Sequence, residues 1–418
     1  MPGGLSVKRG IKILLIAVFT IFVIAIAADC SGESGDATVA LTSAGEPRVT
    51  RTVVLSGLRE PWDIAFTPDG AMLFTEKCRC LSVRLPNGAI KRLFGTTGSA
   101  VVAGDLFCQG QSGMLGVAVD PRLSDNRFIY VFMASNLNDR KTNRVVRLIV
   151  DAGYSTVSNR KDIVTDIPYK SSATIWGGAG VHSGGRIRFS PSDGFLYITT
   201  GDNHNGPLPQ DLTRLGGKVL RVDHDGAVAP GNNTPAGGDP RIFTYGHRNV
   251  QGIAFRPGTG QPFSCEHGPG HSDEVTPLVA GGNGGWDPKP DPSVSCISNY
   301  CGYTSNKSDG RPTSMTDLAK FPTALRPSWN NKGVSEGMGH CLFLSGRQWH
   351  AWDGRLAVGF LRGSRIDILQ LDTTGITTGH TTLNGIPSQR MRSLVQGHDG
   401  ALYIATDAGE IWSLAPIQ

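Results

Sequence analysis

Residues 63–70 read D-I-A-F-T-P-D-G, and residues 72–75 read M-L-F-T. A short apolar run, a Pro-Asp-Gly turn and a second run ending on threonine make two strands joined tightly. The pattern returns at 116–121 with 128–133, at 186–191 with 195–200, and at 252–257. It closes the chain at 393–400 with 402–406 and 411–412, and residues 341–371 carry a degenerate further copy. A unit of several short strands recurring every ~50–70 residues predicts an all-β, six-bladed β-propeller with four-stranded antiparallel blades. A two-sheet sandwich of this size would lack such repeats.

The rest of the composition agrees. The 418 residues include 55 Gly and 25 Pro, and no long stretch keeps a helical period. Of the formal charge of +5, three positives are Lys8, Arg9 and Lys12, so the remainder is too weakly basic to suggest nucleic acid or an anionic membrane surface. Those three precede the apolar run 13–28 and an A-I-A stretch at 25–27, the build of a secretory signal peptide. The run is 16 residues, short of the ~20 a spanning helix needs, and retention as a membrane anchor is the alternative. Asp29 directly before Cys30 fits a lipoprotein poorly. The division expected is 1–28 leader, 29–50 flexible lead-in and 51–418 propeller, in an exported protein, periplasmic or secreted.

Export makes the eight cysteines potential disulfides. Cys296 and Cys301, close together and flanked by turn residues, form the first expected pair. Cys265 with Cys341, and Cys108 with either Cys78 or Cys80, are pairings the sequence leaves open. No C-x-x-C or C-x-x-C-H occurs, which argues against a cysteine metal site or a haem.

Polar residues keep a constant address in the repeat. His182 stands nine residues ahead of Pro191 and Arg248 nine ahead of Pro257; Gln111 stands ten ahead of Pro121 and Arg390 eight ahead of His398. Segments entering the innermost strand of a blade open on the central channel, so these side chains are expected to converge on one concave mouth. Between residues 245 and 286 the chain reads Y-G-H-R-N-V-Q-G, E-H-G-P-G-H-S-D-E and G-G-N-G-G-W. Arg248, Asn249 and Gln251 beside acids and glycine turns suit an anionic, oxygen-rich ligand. A lone histidine is usually structural, but His182 at a blade entrance beside two glycines is placed to act as a general base. Arg390 and Arg392 alternate along an extended segment and face one side, as a grip on a ligand with several carboxylates requires. Gly268 and Pro269 offer backbone carbonyls of the kind Ca²⁺ takes, though no EF-hand spacing is present. No dinucleotide fingerprint, P-loop, nucleophile elbow or H-E-x-x-H occurs.

The G-Q-S-G-M-L-G, H-S-G-G-R, G-K-V-L-R-V-D, G-H-R-N-V-Q-G, E-H-G-P-G-H-S-D-E and G-G-N-G-G-W stretches together resemble the soluble quinoprotein sugar dehydrogenases, in order along nearly the whole chain after the leader. The resemblance implies a six-bladed propeller holding pyrroloquinoline quinone (PQQ) and Ca²⁺ at the channel mouth, a sugar substrate and an external electron acceptor. It makes His182 the catalytic base and sets Arg248, Asn249, Gln251, Gln111, Asp273, Arg362, Arg390 and Arg392 around the cofactor. Gly268 and Pro269 become the carbonyl ligands of the metal. Two positions depart from the family's glucose enzyme: Arg362 stands where it has lysine, and Val181 where it has an acid beside the histidine. These put substrate choice in question more than chemistry. A Ca²⁺-dependent lactonase propeller and a glycan- or protein-binding propeller are the competing readings. The first would centre a metal on carboxylates, and the second has no use for the histidine, the R-x-R pair and the Gly-Pro turn together.

Overall fold

The computed structural model describes residues 37–39 and 45–417; the expected leader at 1–28 lies outside the described residues. Six sheets follow one another along the chain. The first blade runs Pro61–Phe66, Met72–Glu76, Cys80–Arg84 and Ile90–Gly95. The second is Met114–Val119, Phe128–Ser135, Thr142–Val150 and Val157–Ile167. The third is Ile187–Phe189, Leu196–Thr199, Lys218–Val222 and Ile242–Tyr245. Val250–Phe255, Pro262–Glu266, Glu274–Pro277 and Trp329–Asn330 make the fourth. Met338–Phe343, Leu356–Phe360, Ile366–Leu371 and Thr377–Thr382 make the fifth. The sixth takes Met391–Gln396, Leu402–Thr406 and Glu410–Ile417 from the end of the chain and Arg48–Leu55 from its beginning.

The repeat read from residues 63–75 is thus the inner hairpin of each blade. Neighbouring blades touch at their inner strands, except that Leu196–Thr199 of the third meets Val250–Phe255 of the fourth, and Met391–Gln396 meets Pro61–Phe66, which closes the ring into a six-bladed propeller. Arg48–Leu55 pairs antiparallel with Glu410–Ile417, from Arg48 opposite Ile417 to Leu55 opposite Ile411, so closure is held by backbone hydrogen bonds. Three blades carry a fifth strand the repeat did not announce. Val101–Val102 and Gly282–Asn283 add in parallel, and Ala37–Val39 adds antiparallel to Val49, Thr50 and Arg51. An outer strand presents unpaired N–H and C=O groups, and these short passing segments satisfy them. The stretch 29–50, expected as a flexible lead-in, therefore supplies Ala37–Val39 and the start of Arg48–Leu55 to the last blade.

The apolar core lies between blades, as where Leu73, Leu81 and Val83 meet Val117, Val131 and Leu148. At the axis it is polar. Arg186, fully buried, pairs with Asp63 and donates to Gln251 O at 3.1 Å, Ser393 Oγ at 3.3 Å and Arg392 O at 2.9 Å, with its guanidinium 4.1 Å over Trp62. One side chain from the third blade thereby ties down the first, fourth and sixth. Burial alone would raise the Asp63 carboxyl, but the charges of Arg186 and Arg188 hold it well below the carboxylate range.

Disulfides join Cys78 to Cys108, Cys265 to Cys341 and Cys296 to Cys301. Cys80 is buried in its strand beside Ser82, so the choice the sequence left open falls to Cys78 in the preceding turn.

Candidate active site

His182 enters the third blade on a backbone with φ of 50°, buried, its N–H donating to Gln111 Oε1 at 3.0 Å. The glycines after it are a steric necessity: a Cβ on Gly184 would lie 2.5 Å from Thr200 Cα. Asn249 Oδ1 accepts the Gly184 N–H at 3.1 Å and holds this loop to the fourth blade.

The imidazole is gripped from its far side. His182 Nδ1–H donates to Asp202 Oδ1 at 2.6 Å. Asp202 accepts two further hydrogens, from His204 N at 3.0 Å and from Trp286 Nε1 at 2.9 Å. Burial pushes the Asp202 carboxyl upward, while the charge of Arg248 and these donors favour its ionised form. Burial, then the positive charge of Arg248, push His182 well below the usual imidazole value. The outcome is a neutral ring with Nδ1–H fixed by Asp202 and a lone pair on Nε2, the state a general base needs.

Arg248 lies across from it. Its Nη1 donates to His267 O at 3.1 Å and its Nη2 to Tyr303 Oη at 2.8 Å, with the guanidinium 5.3 Å from the Tyr303 ring and 5.8 Å from Trp286. Its backbone N–H donates to Glu266 Oε1, which also receives the Asn249 N–H at 3.1 Å, so a buried carboxylate pins the strand entrance. Arg248 Nε and His267 Nε2 are buried nitrogens without a protein partner. Orphaned buried polar nitrogens of this kind mark a place for an acceptor from outside the chain.

Gln111, Gln251 and Arg392 line one small cavity with Trp62, Lys77 and Asp407. Arg392 Nη1 donates to Gln251 Oε1 at 3.0 Å, and both arginines of the R-x-R pair reach Asp407, Arg390 Nε at 2.7 Å and Arg392 Nε at 3.0 Å. They do face one side, but Asp407 shares their charge. Arg362 is placed differently: its Nη1 reaches Ser335 O at 3.5 Å in a cavity of about 410 Å³ with Asn331, Glu336 and Gly363.

Asp273, expected beside the cofactor, lies under the turn that carries Gly268 and Pro269. Its oxygens accept from Gly268 N at 2.8 Å, Ser335 Oγ at 2.6 Å, Glu336 N at 2.6 Å and Gly337 N at 2.9 Å. It is fully buried and spends its acceptors on shaping the turn that carries Gly268 and Pro269. A Cβ on Gly268 would lie 1.7 Å from His271 O, so only glycine fits there. The carbonyls flanking the Gly-Pro pair accept protein donors, His267 O from Arg248 and Gly270 O from Ser335 N.

Sequence reasoning missed Asp202, His204 and Tyr303. The first two lie in the G-D-N-H run at 201–204, directly after the second strand of the same repeat whose entrance gave His182. That run was the available signal.

The sequence pattern described as Glucose / Sorbosone dehydrogenase matches residues 58–413. The chain belongs to this family. It is similar to the aldose sugar dehydrogenase YliI of Escherichia coli, at 28% identity over 87% of this chain and 92% of that protein. It is also similar to quinoprotein glucose dehydrogenase B of Acinetobacter calcoaceticus, at 28% identity over 68% of this chain and 62% of that protein. Among solved structures it resembles the PQQ-bound form of an aldose sugar dehydrogenase from Streptomyces coelicolor, with a TM-score of 0.66 and 25% identity over 89% of this chain and 99% of that one. The named relatives are sugar dehydrogenases, that is, oxidoreductases.

Proposed function

We propose that this protein oxidises an aldose-type sugar at C1 to the lactone, with PQQ and Ca²⁺ as cofactors and His182 as general base. The observation that carries the reading is a neutral, Asp202-oriented imidazole beside a buried cation, Arg248, whose Nε lacks a partner. The quinoprotein and PQQ-bound relatives support the choice of cofactor.

The residues present suit such a group. Arg248 Nε and His267 Nε2 are unpaired, and the surrounding donors are cations and amides matched to carboxylates and quinone oxygens. Arg248, Asn249, Gln251, Gln111, Arg362, Arg390 and Arg392 would hold PQQ, and the carbonyls of Gly268 and Pro269 would hold Ca²⁺. When bound, PQQ supplies the two-electron acceptor for the C1 hydride. The chain supplies the rest. Nε2 of His182 takes the proton of the anomeric hydroxyl, Asp202 keeps the ring oriented, and Arg248 is a fixed positive charge where negative charge gathers.

An external acceptor would take up the electrons. Three disulfides support an oxidising compartment, hence export to the periplasm or beyond. Among the described residues no helix is long and apolar enough to cross a membrane.

Reconstitution tests the proposal. The chain is purified from a host that makes no PQQ, then given PQQ, Ca²⁺, a panel of aldoses and a redox dye. Dye reduction that requires both additions is expected. PQQ binding without oxidation of any aldose overturns the substrate class, and failure to bind PQQ overturns the reading itself.

A further inference from the structure

The G-K-V-L-R-V-D stretch at 217–223 has no part in the reaction proposed above, yet its lysine stands where a lysine is seldom found. Lys218, on the third strand of the third blade, is 0% exposed. Its hydrogens go to backbone carbonyls: Nζ donates to Leu208 O at 2.8 Å, Pro209 O at 3.0 Å and Gly216 O at 2.7 Å. Three donors meet three acceptors, which fills the capacity of an ammonium. Burial pulls Lys218 down to about 7, and the three carbonyls, which need all three hydrogens, act against that fall.

The carbonyls belong to the loop 201–217, which carries Asp202. From Leu208 a chain of turns leads back to that acid. Leu208 N–H donates to Asn205 O at 3.1 Å, and Asn205 N–H donates to Asp202 O at 2.8 Å. At its other end the loop closes through Gly217 N–H on Gly201 O at 2.9 Å. Pro209 O also accepts Gly246 N–H at 2.9 Å, two residues ahead of Arg248, and Asp202 N–H donates to Arg248 O at 2.7 Å. The ammonium therefore stands behind both groups that set the state of His182: the acid that orients it and the cation across from it. Packing leaves the loop little slack, because a Cβ on Gly216 would lie 2.4 Å from Leu208 Cδ2.

We propose that Lys218 is a positioning residue: an ammonium built into the fold as a structural cation would be, fixing loop 201–217 so that Asp202 and Arg248 keep their places about His182. This rests on the functional reading above and deepens it, since it names what holds the orienting acid. Lys218 touches neither substrate nor reacting atoms and acts through Asp202.

Two measurements test it. The first uses the cofactor-free protein and follows the proton between His182 Nδ1 and Asp202 Oδ1, a 2.6 Å bond whose line lies far downfield and is identified by its loss in His182→Ala. In Lys218→Met, which nearly keeps the side chain's length and gives the carbonyls no hydrogen, that line should broaden or vanish. Should that variant fail to fold, Lys218→Gln, which keeps two hydrogens, takes its place with a smaller change expected. An unmoved line in the folded variant overturns the proposal whether or not any sugar is oxidised. The second uses the loaded enzyme and the same variant, with kcat counted per bound PQQ so that unfolded protein does not contribute. A fall of about 10- to 100-fold in kcat is expected, the cost of displacing a catalytic group by about 1 Å, with KM within about threefold. In an Asp202→Asn background the same substitution should cost no more than about twofold further. An equal cost in both backgrounds, or a raised KM with kcat unchanged, overturns it. If the wild type oxidises no sugar at all, the functional reading fails, and the proton line still decides the role of Lys218.

Discussion

Replacing Asp202 by asparagine removes one acceptor from a carboxylate that receives three hydrogens. Oδ1 takes His182 Nδ1–H at 2.6 Å and His204 N–H at 3.0 Å, and Oδ2 takes Trp286 Nε1–H at 2.9 Å. The amide nitrogen must stand in one of the two places. On the Trp286 side it sets donor against donor and orphans a buried indole N–H, at about 1–3 kcal/mol. On the His182 side it faces two donors, and the imidazole is driven to the tautomer with hydrogen on Nε2. That tautomer has no lone pair for the substrate proton. Losing a general base typically costs ~10²–10⁴ in rate, or about 2.7–5.5 kcal/mol of transition-state stabilisation. The expected result for Asp202→Asn is therefore a fall of ~10²–10⁴ in kcat/KM in the dye-linked assay at saturating PQQ and Ca²⁺, with thermal unfolding recorded to separate a folding defect from a chemical one. Activity within about threefold of the wild type, in a protein that unfolds normally, would refute the claim that Asp202 sets the tautomer of His182.

Two further outcomes follow from groups remote from the base. Burial pushes the Glu274 carboxyl up to about 8, with Glu266 and Asp273 adding to it, against an ordinary value near 4.5. Its neutral form belongs to the folded state, so its stabilising effect is complete below pH 4.5 and is lost as pH rises toward 8. Glu274→Gln, neutral throughout, should match the wild-type Tm near pH 4 and exceed it increasingly up to pH 8; parallel Tm–pH curves would contradict this. The Cys265–Cys341 bridge spans 76 residues and links the second strand of the fourth blade to the inner strand of the fifth. Chain-entropy reasoning puts its removal at about 4 kcal/mol, so the Cys265→Ala, Cys341→Ala double variant should denature at markedly lower urea, and an unmoved midpoint would show the bridge to be dispensable.

The repeat was legible because a blade's inner hairpin imposes a local rule. Alternating apolar residues, a tight turn and a second strand must recur wherever the chain turns toward the axis, and 63–75 states that rule in thirteen residues. His182, Gln111, Arg248 and Arg390 were findable for the same reason, since each stands at a constant distance from a turn. Arg392 and Gln251 came with them, and the structure joins those two by a hydrogen bond of 3.0 Å. Outer edges were not legible: Ala37–Val39 and Gly282–Asn283 join their blades by ladder pairing over two or three residues, too short a run to show a strand period.

What the chain determines by itself is thus the architecture and the residue types at the channel mouth, because both follow from spacing along one strand. Only the tertiary structure decided their partnerships. The Asp273 carboxylate accepts the hydrogens of a loop, Asp202 accepts from His182, Cys78 rather than Cys80 meets Cys108, and the His204 ring packs edge to face on that of His182. Each is a contact made when blades or loops distant in sequence close around the axis, and a hydrogen bond of 3 Å between such segments is set by that closure, not by any local pattern.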